Sequence, residues 1–223
     1  MKITAVETLK SNWETLLQPF LVEPYVKQKV FFDLVTAYSG ADRFYHTLEH
    51  IEKVINTIEQ MKSLSLNFPS VQLAAWFHDV IYDPKAKDNE DKSVEYAESA
   101  LNLLKIPKPT IENVKNLILS TKTHQASPTD IDSQILLDAD LAILGSDEQD
   151  YQTYAQSIRQ EYAWMSDVDY RMGRKQVLQS FLQRSRIYVT DFLFAKLEEK
   201  ARQNLRWEVA ALSLTSRVSL DTR

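Results

Sequence analysis

In LAAWFHDVI, residues 73–81, the only polar side chains of an apolar run are His78 and Asp79, side by side. A carboxylate taken into an apolar interior without a partner is strongly penalised, so Asp79 needs a cation, a metal ion or several hydrogen-bond donors. A second interruption of this kind lies in ILLDADLAIL, residues 135–144, with Asp138 and Asp140. Two positions along a helix turn the side chain by roughly 200°, so these aspartates cannot both face one site squarely. One is expected to serve the site and the other a neighbouring helix end or solvent. The chain has only four histidines: His46 and His50, four residues apart in FYHTLEHI, then His78 and His124. Imidazole and carboxylate together suit a divalent metal such as Mn, Fe, Ni, Zn or Mg, with open positions left for water and substrate.

The elements that must position these residues read as amphipathic helices. Val6, Leu9, Trp13, Leu16 and Leu17 form a first helical stripe. Pro24 suits a helix start and Gly40 a stop, with Val26, Val30, Phe31, Leu34, Val35 and Tyr38 between them. Thr47 is placed to cap a helix whose face is Leu48, Ile51, Val54, Ile55, Ile58 and Met61, which puts His50 in its first turn. Residues 71–82 are apolar almost all round, as expected of a helix through the core. A charged loop is expected at 83–92, then helices at about 93–105, 110–121, 133–144, 146–165, 170–184 and 190–214, the last nine residues fraying. Gly145 suits a helix end, and Ser146 with Gln149 has capping-box spacing for the next helix.

Composition agrees with that reading. At 223 residues and 44% hydrophobic the chain can bury one sizeable core. Three glycines leave few tight hairpins and favour an all-α body. Without cysteine there is neither a disulfide nor a thiolate metal site. The net charge of −5 argues against broad nucleic-acid binding. With no apolar signal core and no long apolar run, no membrane association is expected, and the chain reads as cytoplasmic. Nothing in the sequence bears on oligomeric state.

The order H-x(27)-HD-x(60)-D, from His50 through His78 and Asp79 to Asp140, resembles the HD-domain phosphohydrolase superfamily. The resemblance implies one all-α, single-domain helical bundle over residues 1–223, with a metal-site core at about 24–145 and C-terminal helices 146–214 packed on it. It also implies that His50, His78, Asp79 and Asp140 hold one or two divalent metal ions. YHTLEHIEKV further resembles the first signature of the cyclic-nucleotide phosphodiesterases, which would make His46 the general acid. HDVIYD, residues 78–83, is similar to the HDxxED segment of the guanosine tetraphosphate hydrolases, with Asp83 on the aspartate and Tyr82 in place of the glutamate. Over the whole chain, LLDADLAILG, RQEY and GRKQVLQSFLQRSRIY resemble small bacterial predicted metal-dependent HD-superfamily phosphohydrolases.

The expectation is thus a metal-dependent phosphohydrolase acting on a nucleotide or another small phosphorylated molecule. Catalytic candidates are His46, Asp79 and Asp83. Arg43, Lys122 and His124 are candidates for binding the substrate phosphate, with Arg171 and Arg174 behind them. Two other readings stand beside it: an HD-type oxygenase with two irons, or a metal- or nucleotide-binding sensor module without turnover.

Overall fold

The computed structural model describes residues 3–218, and all regular structure among them is helical. Ten α-helices follow one another: α1 Ile3–Leu16, α2 Pro24–Ala37, α3 Leu48–Gln60, α4 Phe68–Phe77, α5 Asn89–Leu103, α6 Lys108–Thr121, α7 Ile131–Asp140, α8 Glu148–Glu161, α9 Asp167–Gln183 and α10 Asp191–Val218. A 3-10 turn, Leu141–Gly145, follows α7 directly. The protein is therefore all-α, as the sequence predicts. Its chain divides into two compact units, residues 1–139 and 140–223, and the division falls at the last residue of α7.

In the first unit α4 is the central element, packed against α1, α3, α5 and α6. It can be central because Val71, Leu73, Ala74, Ala75, Trp76 and Phe77 are all buried, leaving no polar stripe for solvent. Trp13 of α1 meets Trp76 and Phe77 edge to face at 5.4 and 6.2 Å, and Phe31 of α2 meets Trp76 at 6.1 Å. The Trp13 indole N–H is satisfied by the carbonyl of Lys27 at 3.0 Å, so the ring is buried without an orphaned donor.

Helix α4 differs from expectation at both ends. It starts three residues before 71, with Pro69 in its first turn and the Asn67 side chain accepting from the Ser70 N–H, and it stops at Phe77 rather than near 82. His78 and Asp79 therefore lie at the end of the helix, not in its middle. Helix α5 also starts earlier than expected, at Asn89, because Glu90 and Asp91 suit the positive end of a helix dipole and join the first turn.

The second unit is built from the 3-10 turn, α8, α9 and α10. Gly145 is required by close approach, since a Cβ there would lie 2.6 Å from Leu197 Cβ and 2.9 Å from its carbonyl oxygen. Helix α8 starts at Glu148, and its cap is Asp147, which accepts from the Asp150 N–H at 3.0 Å, not the expected Ser146–Gln149 pair. Helix α10 runs four residues past 214, and the rest of the expected frayed tail lies outside the described residues. No helix among the described residues is long and apolar enough to cross a membrane.

Candidate metal centre

Each expected ligand stands at a helix end. His50 is the third residue of α3, His78 and Asp79 follow the last turn of α4, and Asp140 is the last residue of α7. The α4 and α7 ends are set partly from their far ends. Asp132 in the first turn of α7 accepts from Ser65 Oγ at 2.6 Å and from the N–H groups of Leu66 and Asn67 at 2.9 Å. Both helices are ten residues long.

One ligand atom from each of His50, His78, Asp79 and Asp140 lies within 4.8 Å of all the others, and these four form the one such cluster among the described residues. The histidines are almost wholly enclosed, at 2% and 1% exposure, while Asp79 and Asp140 are half-buried and leave a side open. His50 Nε2 stands 3.3 Å from His78 Nε2, and Asp79 Oδ2 lies 3.2 Å from His78 Nε2 and 3.6 Å from His50 Nε2. Two nitrogens bound at about 2.1 Å to one ion are roughly 3.0 Å apart at a right angle and roughly 3.4 Å apart at a tetrahedral angle. The observed imidazole spacing falls between those values.

The tautomer of His78 strengthens the fit. Its Nδ1 is 3.0 Å from the carbonyl of Ala75, which can only accept, so Nδ1 carries the hydrogen and Nε2 of the neutral ring is a bare lone pair. His50 Nδ1 lies 3.2 Å from the Tyr45 hydroxyl, which can accept its hydrogen and leave Nε2 bare as well. With both rings in that tautomer, two imidazole nitrogens and a carboxylate oxygen converge as a donor set that suits a cation. When the imidazoles carry protons, burial opposes ionisation of Asp79. His78, the hydrogen bonds from His50 and His78 and the charge of His46 outweigh that effect and hold its carboxyl well below the usual range.

The ending of α4 explains how two neighbouring residues both face the cluster. Its last carbonyls are taken up one by one: Ala75 O by His78 Nδ1, Trp76 O by the Tyr38 hydroxyl at 2.9 Å and Phe77 O by the Val80 N–H at 3.2 Å. Released from the helical repeat, the chain turns through 78–82. Ser93 Oγ then holds Ile81 from both sides, accepting from its N–H and donating to its carbonyl.

The other candidates separate clearly. His46 belongs to the site: its Nε2 is 4.0 Å from Asp79 Oδ2, and its ring stacks on Tyr82 at 4.1 Å. Asp83 organises the following loop, with Oδ1 accepting from the Lys85 N–H and its backbone exchanging two hydrogen bonds with the Asn89 amide. Arg43 lies beside the cluster but donates to the carbonyls of His46, Asp79 and Val80. Lys122 pairs with Asp91 at 2.6 Å, a bond that also raises its pKa. His124 closes α6 with a left-handed backbone, φ 48°, and is not one of the four converging residues. Asp138 is buried at 1% exposure, so it is not the solvent-facing member of its pair. Arg174 is committed to a buried ion pair with Glu208.

Tyr45 and Tyr38 support the site although neither is a site candidate in the sequence. For Tyr45 a signal existed in its position directly before His46, whereas the reach of Tyr38 to Trp76 depends on tertiary packing. Comparison of the chain with protein-family models, curated proteins and solved structures gives no match.

Proposed function

We propose that the protein is a metal-dependent phosphohydrolase acting on a small phosphoester, with a nucleotide as the favoured substrate class. The observation that carries the metal part of this reading is the convergence of ligand atoms from His50, His78, Asp79 and Asp140 within 4.8 Å of one another. The hydrolytic part is supported by the HD-type order of these residues and by His46 standing beside them.

His50, His78, Asp79 and Asp140 would hold the ion. A divalent metal bound there supplies a Lewis acid for a phosphoryl oxygen and lowers the pKa of water into the neutral range. The two enclosed histidines fix the position of the centre, and the two half-buried carboxylates line its accessible side. Asp79 offsets positive charge and orients the imidazole of His46 through their 4.0 Å approach. As a water oxygen adds to phosphorus and the bond to the leaving oxygen breaks, His46, held flat against Tyr82, would deliver a proton to the departing alkoxide.

The test is metal analysis of the purified protein, together with hydrolysis of an aryl phosphate and a panel of nucleotides under metal supplementation. Asp79→Ala is the control. Metal-dependent turnover that vanishes in the variant is the expected result. A wild-type protein that binds no divalent ion under any supplement would remove the basis of the reading, and one that binds metal tightly but hydrolyses nothing would favour a sensor role.

A further inference from the structure

We infer that Arg43 is a positioning residue that fixes the metal-binding end of α4 to the His46 loop, rather than a ligand for substrate phosphate. Its guanidinium Nη1 donates to the carbonyls of His46 at 2.9 Å and Asp79 at 2.8 Å, and Nη2 donates to the carbonyl of Val80 at 2.8 Å. One planar group therefore joins the backbone of the proton-donor candidate to the backbone of a metal ligand. The cation lies 5.0 Å from the Tyr38 ring centre and 5.5 Å from that of Tyr82. Both tyrosines act on the same structure, because Tyr38 donates to Trp76 O and Tyr82 stacks on His46. A positive charge here also suits the carbonyl end of a helix.

The geometry is specific to arginine. Three N–H vectors of a rigid fork meet three carbonyls, and a lysine ammonium on a flexible stem cannot span them in the same plane. Loss of the clamp would free residues 78–80 to drift relative to His46, and ligand spacing near 3.3 Å tolerates little drift. Substitution of groups that orient metal ligands commonly lowers metal affinity by about 10–100-fold.

This inference rests on the metal-dependent reading, so the experiment includes a measurement that needs neither metal nor substrate. Arg43→Lys and Arg43→Ala would be compared with wild type by Mn(II) titration, by steady-state hydrolysis of whichever panel substrate turns over, and by imidazole nitrogen–proton correlation spectra of the metal-free protein. Both variants should bind Mn(II) about 10–100-fold more weakly. Added guanidinium should restore much of the affinity of Arg43→Ala. In the metal-free spectra the His46 and His78 resonances should move while those of His124 stay. A phosphate-ligand role would instead raise KM alone, with Mn(II) affinity and imidazole resonances unchanged, and that outcome overturns the proposal. A general loss of folding without guanidinium rescue overturns it too. If wild type binds no Mn(II), the metal reading falls, while the metal-free spectra still decide whether Arg43 sets His46 and His78.

Discussion

The His50–His78–Asp79 cluster and the Arg174–Glu208–Tyr151–Tyr154 network both bury polar side chains among apolar helices, but they are built differently. In the second, a guanidinium and a phenol converge on one carboxylate. Arg174 Nε and Nη2 grip the two Glu208 oxygens at 2.8 and 3.1 Å, Tyr151 donates to Glu208 at 2.6 Å, and Arg174 Nη1 donates to the Tyr154 hydroxyl at 3.2 Å. In the first, two imidazole nitrogens and a carboxylate oxygen converge across 3.2–3.6 Å. The residue types already point the same way, because imidazole and carboxylate can ligate a metal and a guanidinium cannot. A salt-bridged network is held together by its own members, whereas the converging His and Asp atoms could hold a metal ion.

The largest effect should come from breaking the matched network. Glu208→Ala leaves a buried guanidinium without its carboxylate and is expected to cost about 3–5 kcal/mol in urea unfolding. The double variant Arg174→Met/Glu208→Leu should recover most of that loss, because exchanging a whole buried pair for apolar groups is close to neutral. Additive losses in the double variant would mean that the pair is not coupled as described.

The cluster should respond to the opposite treatment, gaining stability from something added. At 100 times its dissociation constant, a bound ion stabilises by about 2.7 kcal/mol. Mn(II) should raise the unfolding midpoint of wild type and leave that of Asp79→Ala unmoved. Because ion and protons compete for the same imidazole lone pairs, binding should weaken as the pH falls and release protons to the buffer. A pH-independent affinity would place the ion elsewhere.

The four converging side chains are legible in the sequence, but the way they are brought together is not. His50, His78, Asp79 and Asp140 stand out because polar residues interrupt apolar runs. The end of α4 is not visible, since the apolar run continues through Val80 and Ile81 and nothing local announces that Tyr38, Arg43 and Ser93 will take up backbone groups of Trp76, Asp79, Val80 and Ile81. Positive charge near an expected site suggests phosphate ligands at Arg43 and Lys122, while the partners they meet come from distant parts of the sequence. The Arg174–Glu208 pair spans 34 residues and had no sequence signal at all.

A smaller change tests how α7 is held. Asp132→Ala removes three hydrogen bonds that tie the start of α7 to the segment before α4, and is expected to cost about 1–2 kcal/mol. It also loosens the placement of Asp140, so Mn(II) affinity should fall although residue 132 is far along the helix from the cluster. Asp132→Asn keeps one acceptor and should lie between. An Asp132→Ala protein with lower stability but unchanged Mn(II) affinity would show that Asp140 is placed by other contacts.

The last effect appears only at alkaline pH and concerns the phenols of the second region. Burial raises the Tyr151 pKa far above the ordinary phenol range, with the Glu208 charge adding to it, and pushes Tyr170 up to about 12. For a group whose folded pKa is raised, the unfolded chain loses its proton first. The stabilisation is complete below the unfolded value of about 10 and is lost as the pH rises through the folded one. Wild-type stability should therefore decline as the pH rises above about 10. Glu208→Gln should lower the Tyr151 pKa by removing the adjacent negative charge, whereas Asp79→Asn should leave the Tyr151 titration unchanged. Near-ultraviolet phenolate absorbance, followed alongside circular dichroism, distinguishes ionisation within the fold from ionisation that accompanies unfolding. Equal shifts from the two substitutions would mean that the electrostatics of the matched network and the metal cluster are not separable as their bonding implies.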